Sequence, residues 1–555
     1  MVIVDTTFSR MKELVKKELT IEELEQVLAD MGMELDDVEE DIIKIEITAE
    51  RIDLISAEGL ARAINSYLGL IKGYEDITVE KEDYVHIVEP SVKAVRGFTR
   101  SFVVKGLSLD EDSVKTLMQV QEKIHETYGR KRKKVAIGVY DLNLLKFPIT
   151  YKAEKPEKIS FIPLDMDQEM NGHQILEEHP KGQAYAHLLK GESLFPVHRD
   201  ANGKILSMPP IINSNSLGKV SATTKDLFIE CTGPSGEALD SIIDIFATMF
   251  ADWKGKIYYV TIKDGNEEII CPSFKKQEWS ITVDVVRNLI GIDVDAKKVS
   301  ELLPKMQYAI VETGDNEIKV LVPSVRTDIW HPVDIADDVA RAYGYNNIVP
   351  QVPNLSTIGG MLPINILKED IANFLVGFGL IELNSWALTN HIDQYEKMNL
   401  SEEPHVKLGK NTQDSNLSQV RSWMIPEAIK TLVANRSSEY PQRVFELGIC
   451  VLPDETKDVN AKNVDKLVCL LCEEKTDFTQ IKQILDAVCK FIGIEYMIKE
   501  AKHDSFIEGR MGEIIVNEKT VGIIGEIHPQ VLDNWDLKVP VTALEIDLSM
   551  MRSLQ

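Results

Sequence analysis

The amino-acid sequence predicts a multidomain α+β protein, and three observations predict it. Its 555 residues exceed what one hydrophobic core organises, so roughly three to five domains are expected. Segments that alternate apolar and polar residues, such as IIKIEIT at 42–48, stand beside segments with helical spacing, such as Leu60, Ile64 and Leu68. Hydrophobic content of 44% is ordinary for a globular protein. The longest apolar run, around 374–381, is interrupted by Gly377 and Gly379, so no membrane span is expected.

Residues 1–85 read as a small α/β unit. A helix starts after Thr20 and stops before Gly32, the strand at 42–48 follows, and Ser56 caps a second amphipathic helix. Arg51 and Asp53 lie just ahead of that helix and suit an ion pair beside a docking element. Residues 90–275 carry a helix at 112–128, the basic run GRKRKK at 129–134, a strand VAIGV, and a strand DLFIE that ends on Glu230. The basic run reads equally well as a solvated turn or as a contact to nucleic-acid phosphates.

Residues 276–351 show two helices, one marked by Val285, Leu289 and Ile290 before Gly291, the other by Val299, Leu302 and Leu303. A hairpin turning at Gly314-Asp315-Asn316 follows. That order suggests a winged-helix-like unit. No basic recognition helix is visible, so a scaffold role is the better reading. Residues 362–555 begin with a long amphipathic helix, a glycine break and a strand, and end with two strands around a short helix.

Charge and cysteines narrow the function. Lys+Arg 62 against Asp+Glu 89 gives 62 − 89 = −27, which argues against broad nonspecific nucleic-acid binding by this chain alone. Six scattered cysteines and the lack of a secretion-type leader point to a reducing, cytoplasmic setting. Cys469 and Cys472 form a CxxC, but strand alternation sends them to opposite faces, against a zinc site. No Gly-x-x-x-x-Gly-Lys-Ser/Thr phosphate loop is present.

The densest chemistry lies at 323–350, PSVRTDIWHPVDIADDVARAYGYNNIVP. Pro332 suits a first helical turn, Gly344 a left-handed stop, and Ile335 with Val339 an apolar stripe. Asp334, Asp337 and Asp338 then share one helix face, and Asp328 lies on the arm that could fold back to them. Acidic residues in a first turn offset the helix dipole without any ligand. The other reading is a hard cation, Mg²⁺, held by carboxylate oxygens and waters.

The run VPSVRTDIWHPVDIADDVARAYGYNNI resembles the signature of the β subunit of phenylalanyl-tRNA synthetase, in its archaeal or eukaryotic-like form. The resemblance implies that Asp328, Asp334, Asp337 and Asp338 hold Mg²⁺ at the junction with an α subunit. Arg51 and Asp53 resemble that chain's Arg-Pro-Asp-Leu stretch, with Ile52 in place of the proline. The stretches FIPLDMDQEMNGHQILEEHPKGQAYAHLL and MPPIINSNSLGKVSATTKDLFIECTG resemble its editing domain, which hydrolyses tyrosine wrongly attached to the phenylalanine tRNA.

By the same resemblance Glu230 reads the tyrosine hydroxyl, and Asn213, Ser214 and Asn215 form the loop that approaches the terminal adenosine. Bacterial relatives carry a histidine just ahead of the position of Asp141, and Ile137-Gly138-Val139 offers none. His173 and His179 are near in sequence. The last block resembles a class II synthetase catalytic fold. It lacks the Phe-Arg-x-Glu pattern, since Arg443-Val444-Phe445-Glu446 runs in another order, and it lacks a Gly-x-Gly-x-Gly run followed by arginine. The expected fold is therefore an N-terminal α/β unit, an editing domain, a winged-helix-like domain and an inactive class II synthetase-like antiparallel sheet. The implied partners are the α subunit in an α2β2 heterotetramer, tRNA, and ATP and phenylalanine through the α subunit. The alternative is a non-catalytic assembly scaffold with no active editing.

Overall fold

The computed structural model describes residues 2–409 and 416–553, which fall into two compact units, Met1–Val352 and Pro353–Gln555. The first unit opens with a three-stranded antiparallel sheet in the order Val2–Thr7, Ile42–Ile47, Glu34–Glu39. Helix Ile21–Asp30 begins with a full capping box between Thr20 and Glu23, and helix Ala57–Tyr67 is capped by Ser56. Arg51 and Asp53 do pair, through two parallel bonds of 2.9 Å, and both are buried. Gly59, in the first turn of that helix, lies where a Cβ would strike the carbonyl oxygen of Asp53.

The middle of the unit is a mixed 11-stranded sheet that begins with Val79–Glu80 and Val85–Val88, ahead of residue 90. Toward one edge its strands run in the order Lys256–Asp264, Phe98–Lys105, Leu227–Gly233, Ala136–Asp141, the last being the edge strand. Helix Gly236–Asp252 packs on them, burying Leu239, Ile242, Phe246 and Phe250, and helix Glu111–Glu126 buries Leu117, Val120 and Ile124. Of these strands Leu227–Gly233 is buried at every residue.

A three-stranded sheet follows, in the order Gln277–Thr282, Glu317–Val322, Ala309–Thr313, with helices Val283–Ile290, Ala296–Leu302 and Pro332–Tyr343 on it. The expected hairpin and both helices are present, and Gly291 stops the first helix at φ 79°. The expected apolar stripe on that helix is displaced. Leu289 is 54% exposed, while Val283 and Val286 enter the core, because the unforeseen strand at Gln277–Thr282 sets the helix's entry.

The second unit is built on a seven-stranded sheet in the order Ile381–Glu382, Gln442–Pro453, Ala461–Cys472, Val541–Asp547, Lys519–Ile527, Phe506–Val516, Met497–Glu500. All pairings are antiparallel except the first. Helix Ile425–Ala434 covers one face and helix Phe478–Ile492 the other, each with its own apolar core. Cys469 and Cys472 belong to these opposite cores, both buried and free. Among the described residues no helix is long and apolar enough to cross a membrane.

Gly59→Ala should destabilise the first unit by about 1–3 kcal/mol through overpacking against Asp53. That is opposite in sign to the roughly 1 kcal/mol gain the change brings in an open helix. Urea unfolding followed by circular dichroism reads the sign.

Candidate functional site

Two cavities collect the residues that the sequence singles out. The first, about 290 Å³, opens beside the large sheet and is lined by Glu230, Thr232, Asn213, Ser207, His125 and Arg132 among others. Glu230 does not end its strand, as expected from DLFIE. The strand runs on to Gly233, because Phe98–Lys105 and Ala136–Asp141 offer hydrogen-bond partners on both sides. Glu230 therefore lies mid-strand, opposite Ser101 and Gly138, and is 2% exposed.

The geometry around this carboxyl is asymmetric. Glu230 Oε1 accepts from the Tyr140 hydroxyl at 2.9 Å, with His198 Nδ1 3.7 Å away, while the buried Oε2 has no partner among the described residues. Asn213 Oδ1 lies 3.3 Å from the same Tyr140 hydroxyl. A Cβ at Gly138 would run into both the Tyr140 hydroxyl and Glu230 Oε1, so this glycine leaves room for their contact. Burial pushes Glu230 up to about 8, against the opposing pull of the Tyr140 hydrogen bond and the Arg96 charge. The carboxyl is thus mostly protonated at neutral pH, when it can both donate and accept. Burial also drives the His198 imidazole well below its usual range and His86 down to about 3, so both rings behind Glu230 are neutral.

The other predicted residues separate. Asn213 lines the cavity; Ser214 is buried with an unpartnered hydroxyl and does not line it; Asn215 donates to the Met166 carbonyl at 3.3 Å. His179 lines the cavity, but its ring is held by the Lys181 N–H at 3.1 Å and the Leu164 carbonyl at 3.1 Å. His173 is exposed and faces Glu157 and Phe195.

The basic run divides. Arg130, Lys131 and Arg132 are all left-handed, at φ 49°, 53° and 64°, and this turns Arg132 inward. Arg132 is buried, donating to Ile211 O at 2.8 Å and Glu122 at 2.7 Å and lying over Tyr185. Sequence reading missed Tyr140, Ser207 and Thr232. The period-two pattern carried the signal, since Tyr140 shares a face with Gly138 and Thr232 with Glu230.

The second cavity, about 570 Å³, is lined by Asp328, Asp334, Asp337 and Asp338 together with Glu50 and Arg51. Each aspartate already has donors. Arg326 grips Asp328 at 2.8 and 2.7 Å and reaches Asp338 at 2.6 Å, where Tyr308 also donates at 2.6 Å. Asp334 accepts the Trp330 and His331 N–H groups at 2.8 Å as part of a capping box. Asp337 accepts from Arg341 at 2.9 Å and Tyr345 at 2.8 Å. Burial alone would raise Asp328, but Arg326 outweighs it and brings this carboxyl down to about 2. Among the described residues no three His, Cys, Asp or Glu side chains come together as metal ligands do. The expected Mg²⁺ cluster is thus a shared cavity wall and not a converging donor set. Its oxygens are bonded to guanidinium, phenol and backbone donors, and they do not fit the ion as folded.

Comparison with known proteins covers nearly the whole chain. Residues 1–70 match the Phe-tRNA synthetase beta subunit B1 domain, 279–345 the tRNA synthetase B5 domain, and 348–548 the phenylalanyl tRNA synthetase beta chain CLM domain. The phenylalanine–tRNA ligase beta subunit of Pyrococcus horikoshii is 41% identical over 550 residues, 98% of each chain. The chain belongs to this beta-subunit family. The Thermococcus sibiricus beta subunit is 40% identical over 543 residues, 97% of each chain, and that of Archaeoglobus fulgidus 37% over 522, covering 94% of this chain and 93% of the other. A crystal structure of an N-terminal fragment of the Pyrococcus horikoshii beta subunit superposes with a TM-score of 0.59 at 38% identity, over 61% of this chain and 99% of that one. The protein is therefore a subunit of an aminoacyl-tRNA ligase. The acidic helix falls within the B5 match, whereas the Glu230 cavity lies in 71–278, between the matched domains.

Two outcomes test these sites. Glu230 binds its proton more tightly when folded, so its contribution to stability is complete below about 4.5 and is lost as pH rises through about 8. Glu230→Gln, which cannot ionise, should therefore show a smaller fall in Tm than wild type over that window. For the isolated chain, adding Mg²⁺ or a chelator should leave Tm unchanged, whereas Arg326→Met, which takes the shared guanidinium from Asp328 and Asp338, should cost about 3–5 kcal/mol.

Proposed function

We propose that this beta subunit hydrolyses tyrosyl-tRNA in the Glu230 cavity, while a partner α subunit binds ATP and phenylalanine and carries out the ligation. The observation that carries the reading is the single unpartnered oxygen of a buried, largely protonated carboxyl in the cavity wall. Phenylalanine and tyrosine differ by one hydroxyl, and an apolar ligation pocket rejects an isostere bearing one extra hydroxyl only weakly. A second site built to hydrogen-bond that hydroxyl takes the wrong product, and it leaves a buried polar group unpaired when the right one enters. Glu230 has that character, held on one oxygen by Tyr140 and free on the other. Asn213 and Ser207 join it in the wall.

The reaction adds the oxygen of a water to the ester carbonyl carbon. The bond to the ribose oxygen breaks, and that oxygen takes a proton, giving free tyrosine and uncharged tRNA. His179 is held at both ring nitrogens, so it does not act as the base that the histidine of bacterial relatives suggests.

The second unit supports a partner for the ligation. A working site would need free cationic groups for ATP. Here Arg421 is bonded to Glu446 and Ser385 at 2.8 Å, Arg443 to Glu473, and Lys466 to Glu545 at 2.7 Å. With a net charge of −27, tRNA contact falls largely to the α subunit in a cytoplasmic α2β2 assembly.

Glu230→Ala, in the chain assembled with its α subunit, should lower tyrosyl-tRNA deacylation about 100-fold and leave phenylalanyl-tRNA formation intact. Equal clearance by wild type and variant would remove Glu230 as the discriminator and favour a scaffold with no active editing. The beta chain alone should show no phenylalanine-dependent pyrophosphate exchange.

A further inference from the structure

Arg96 is a buried cation without a counterion. It is 7% exposed and makes four hydrogen bonds, all to neutral acceptors: the Thr232 hydroxyl at 3.0 Å, the Thr232 carbonyl at 2.6 Å, the Arg132 carbonyl at 3.0 Å and the Lys133 carbonyl at 3.1 Å. No carboxylate lies within ion-pairing distance of it among the described residues. A guanidinium in that setting is costly to bury, because carbonyl oxygens satisfy its protons without neutralising its charge. Holding the 129–134 turn accounts for the bonds to Arg132 and Lys133. It does not account for the bond from Nε to the Thr232 hydroxyl.

That bond has a chemical consequence. A threonine hydroxyl has one proton to give and two lone pairs. With Arg96 Nε on a lone pair, the proton points elsewhere, and among the described residues it has no acceptor. Thr232 lines the same cavity as Glu230 and shares its strand face two residues on, roughly 6.6 Å away. That separation is comparable to the reach of a tyrosyl side chain from its phenol to its backbone end. A donor backed by a guanidinium is also a stronger donor.

Resting on the editing reading above, we propose that Arg96 is a positioning residue of the hydrolytic site: it turns the Thr232 hydroxyl proton into the cavity, toward the ester carbonyl oxygen of an aminoacyl group whose ring substituent is read by Glu230. As the water oxygen bonds to the carbonyl carbon, negative charge gathers on the carbonyl oxygen. The Thr232 hydroxyl then donates to that oxygen, with the Arg96 charge behind it.

The test measures kcat and KM for tyrosyl-tRNA deacylation by the full-length chain assembled with its α subunit. The variants are Arg96→Lys, Thr232→Val and the double substitution. Arg96→Lys and Thr232→Val should each lower kcat about 10- to 100-fold with KM nearly unchanged, and the double variant should be no slower than Thr232→Val alone. Thr232→Ser, which keeps the hydroxyl, should retain activity and its sensitivity to Arg96→Lys. If Arg96→Lys lowers kcat by the same factor in the Thr232→Val background, or changes only KM, Arg96 merely clamps the turn and the assignment is wrong. Should Arg96→Lys fail to fold, Thr232→Val decides alone. It leaves the carbonyl bonds of Arg96 to the turn in place, so an unchanged kcat overturns the proposal. A wild-type assembly that clears no tyrosyl-tRNA defeats the editing reading itself, and the Arg96 assignment with it.

Discussion

The strand Leu227–Gly233 is hydrogen-bonded along both edges and buried at every residue, and the chemistry of the first unit depends on that confinement. A strand held on two sides cannot shift register without reversing which side chains face the cavity. Glu230 and Thr232 are thus fixed on one face by backbone pairing, before any side-chain contact is made. The same confinement removes water from the carboxyl, which is why it keeps its proton, and it requires the opposite residue, Gly138, to have no side chain. Rigid sheet positions of this kind hold reacting groups more accurately than loops do.

The acidic helix follows a different logic. Its aspartates share a region of surface, as their spacing indicates, yet each does a separate job. Asp334 closes the helix start, Asp337 ties Arg341 and Tyr345, and Asp338 joins Asp328 on Arg326. The cation that offsets Asp328 and Asp338 is a protein side chain, Arg326, 4% exposed and two residues before Asp328. A guanidinium fits this place because its planar fork can bind one carboxylate with two bonds and still reach a second. Tyr308, from a different segment, completes the group and links the helix to the sheet beside it.

How much of this was legible in the sequence follows from the range of each interaction. Helix Pro332–Tyr343 was readable, because Pro332, Gly344 and the Ile335–Val339 stripe are local signals. So were the capped helices after Thr20 and Ser56, the hairpin at 314–316 and the opposed cysteines of strand Ala461–Cys472. The strand Gln277–Thr282 was missed, because its pairing partner Glu317–Val322 lies some forty residues on. In the site, Glu230 could be named from resemblance, but its mid-strand place depended on two neighbouring strands that no local pattern reveals. Arg96 was invisible for the same reason, and Tyr140 was signalled only by the face it shares with Gly138. An arginine before a strand and a tyrosine in an apolar run look structural until the fold brings them to Glu230 and Thr232.

The inward turn of the GRKRKK segment changes how the protein meets a polyanion. Of five basic residues there, Arg132 is internal and Lys134 lies 3.6 Å over the Tyr128 ring, leaving Arg130, Lys131 and Lys133 at the surface. Counterion release scales with the phosphates neutralised, by about 0.9 per contact on a duplex. This segment can therefore contribute a logarithmic salt slope of at most about −2.7, where a count of letters suggests about −4.5. A polyanion meeting this segment would be loosened by ionic strength less steeply than the count of basic letters implies.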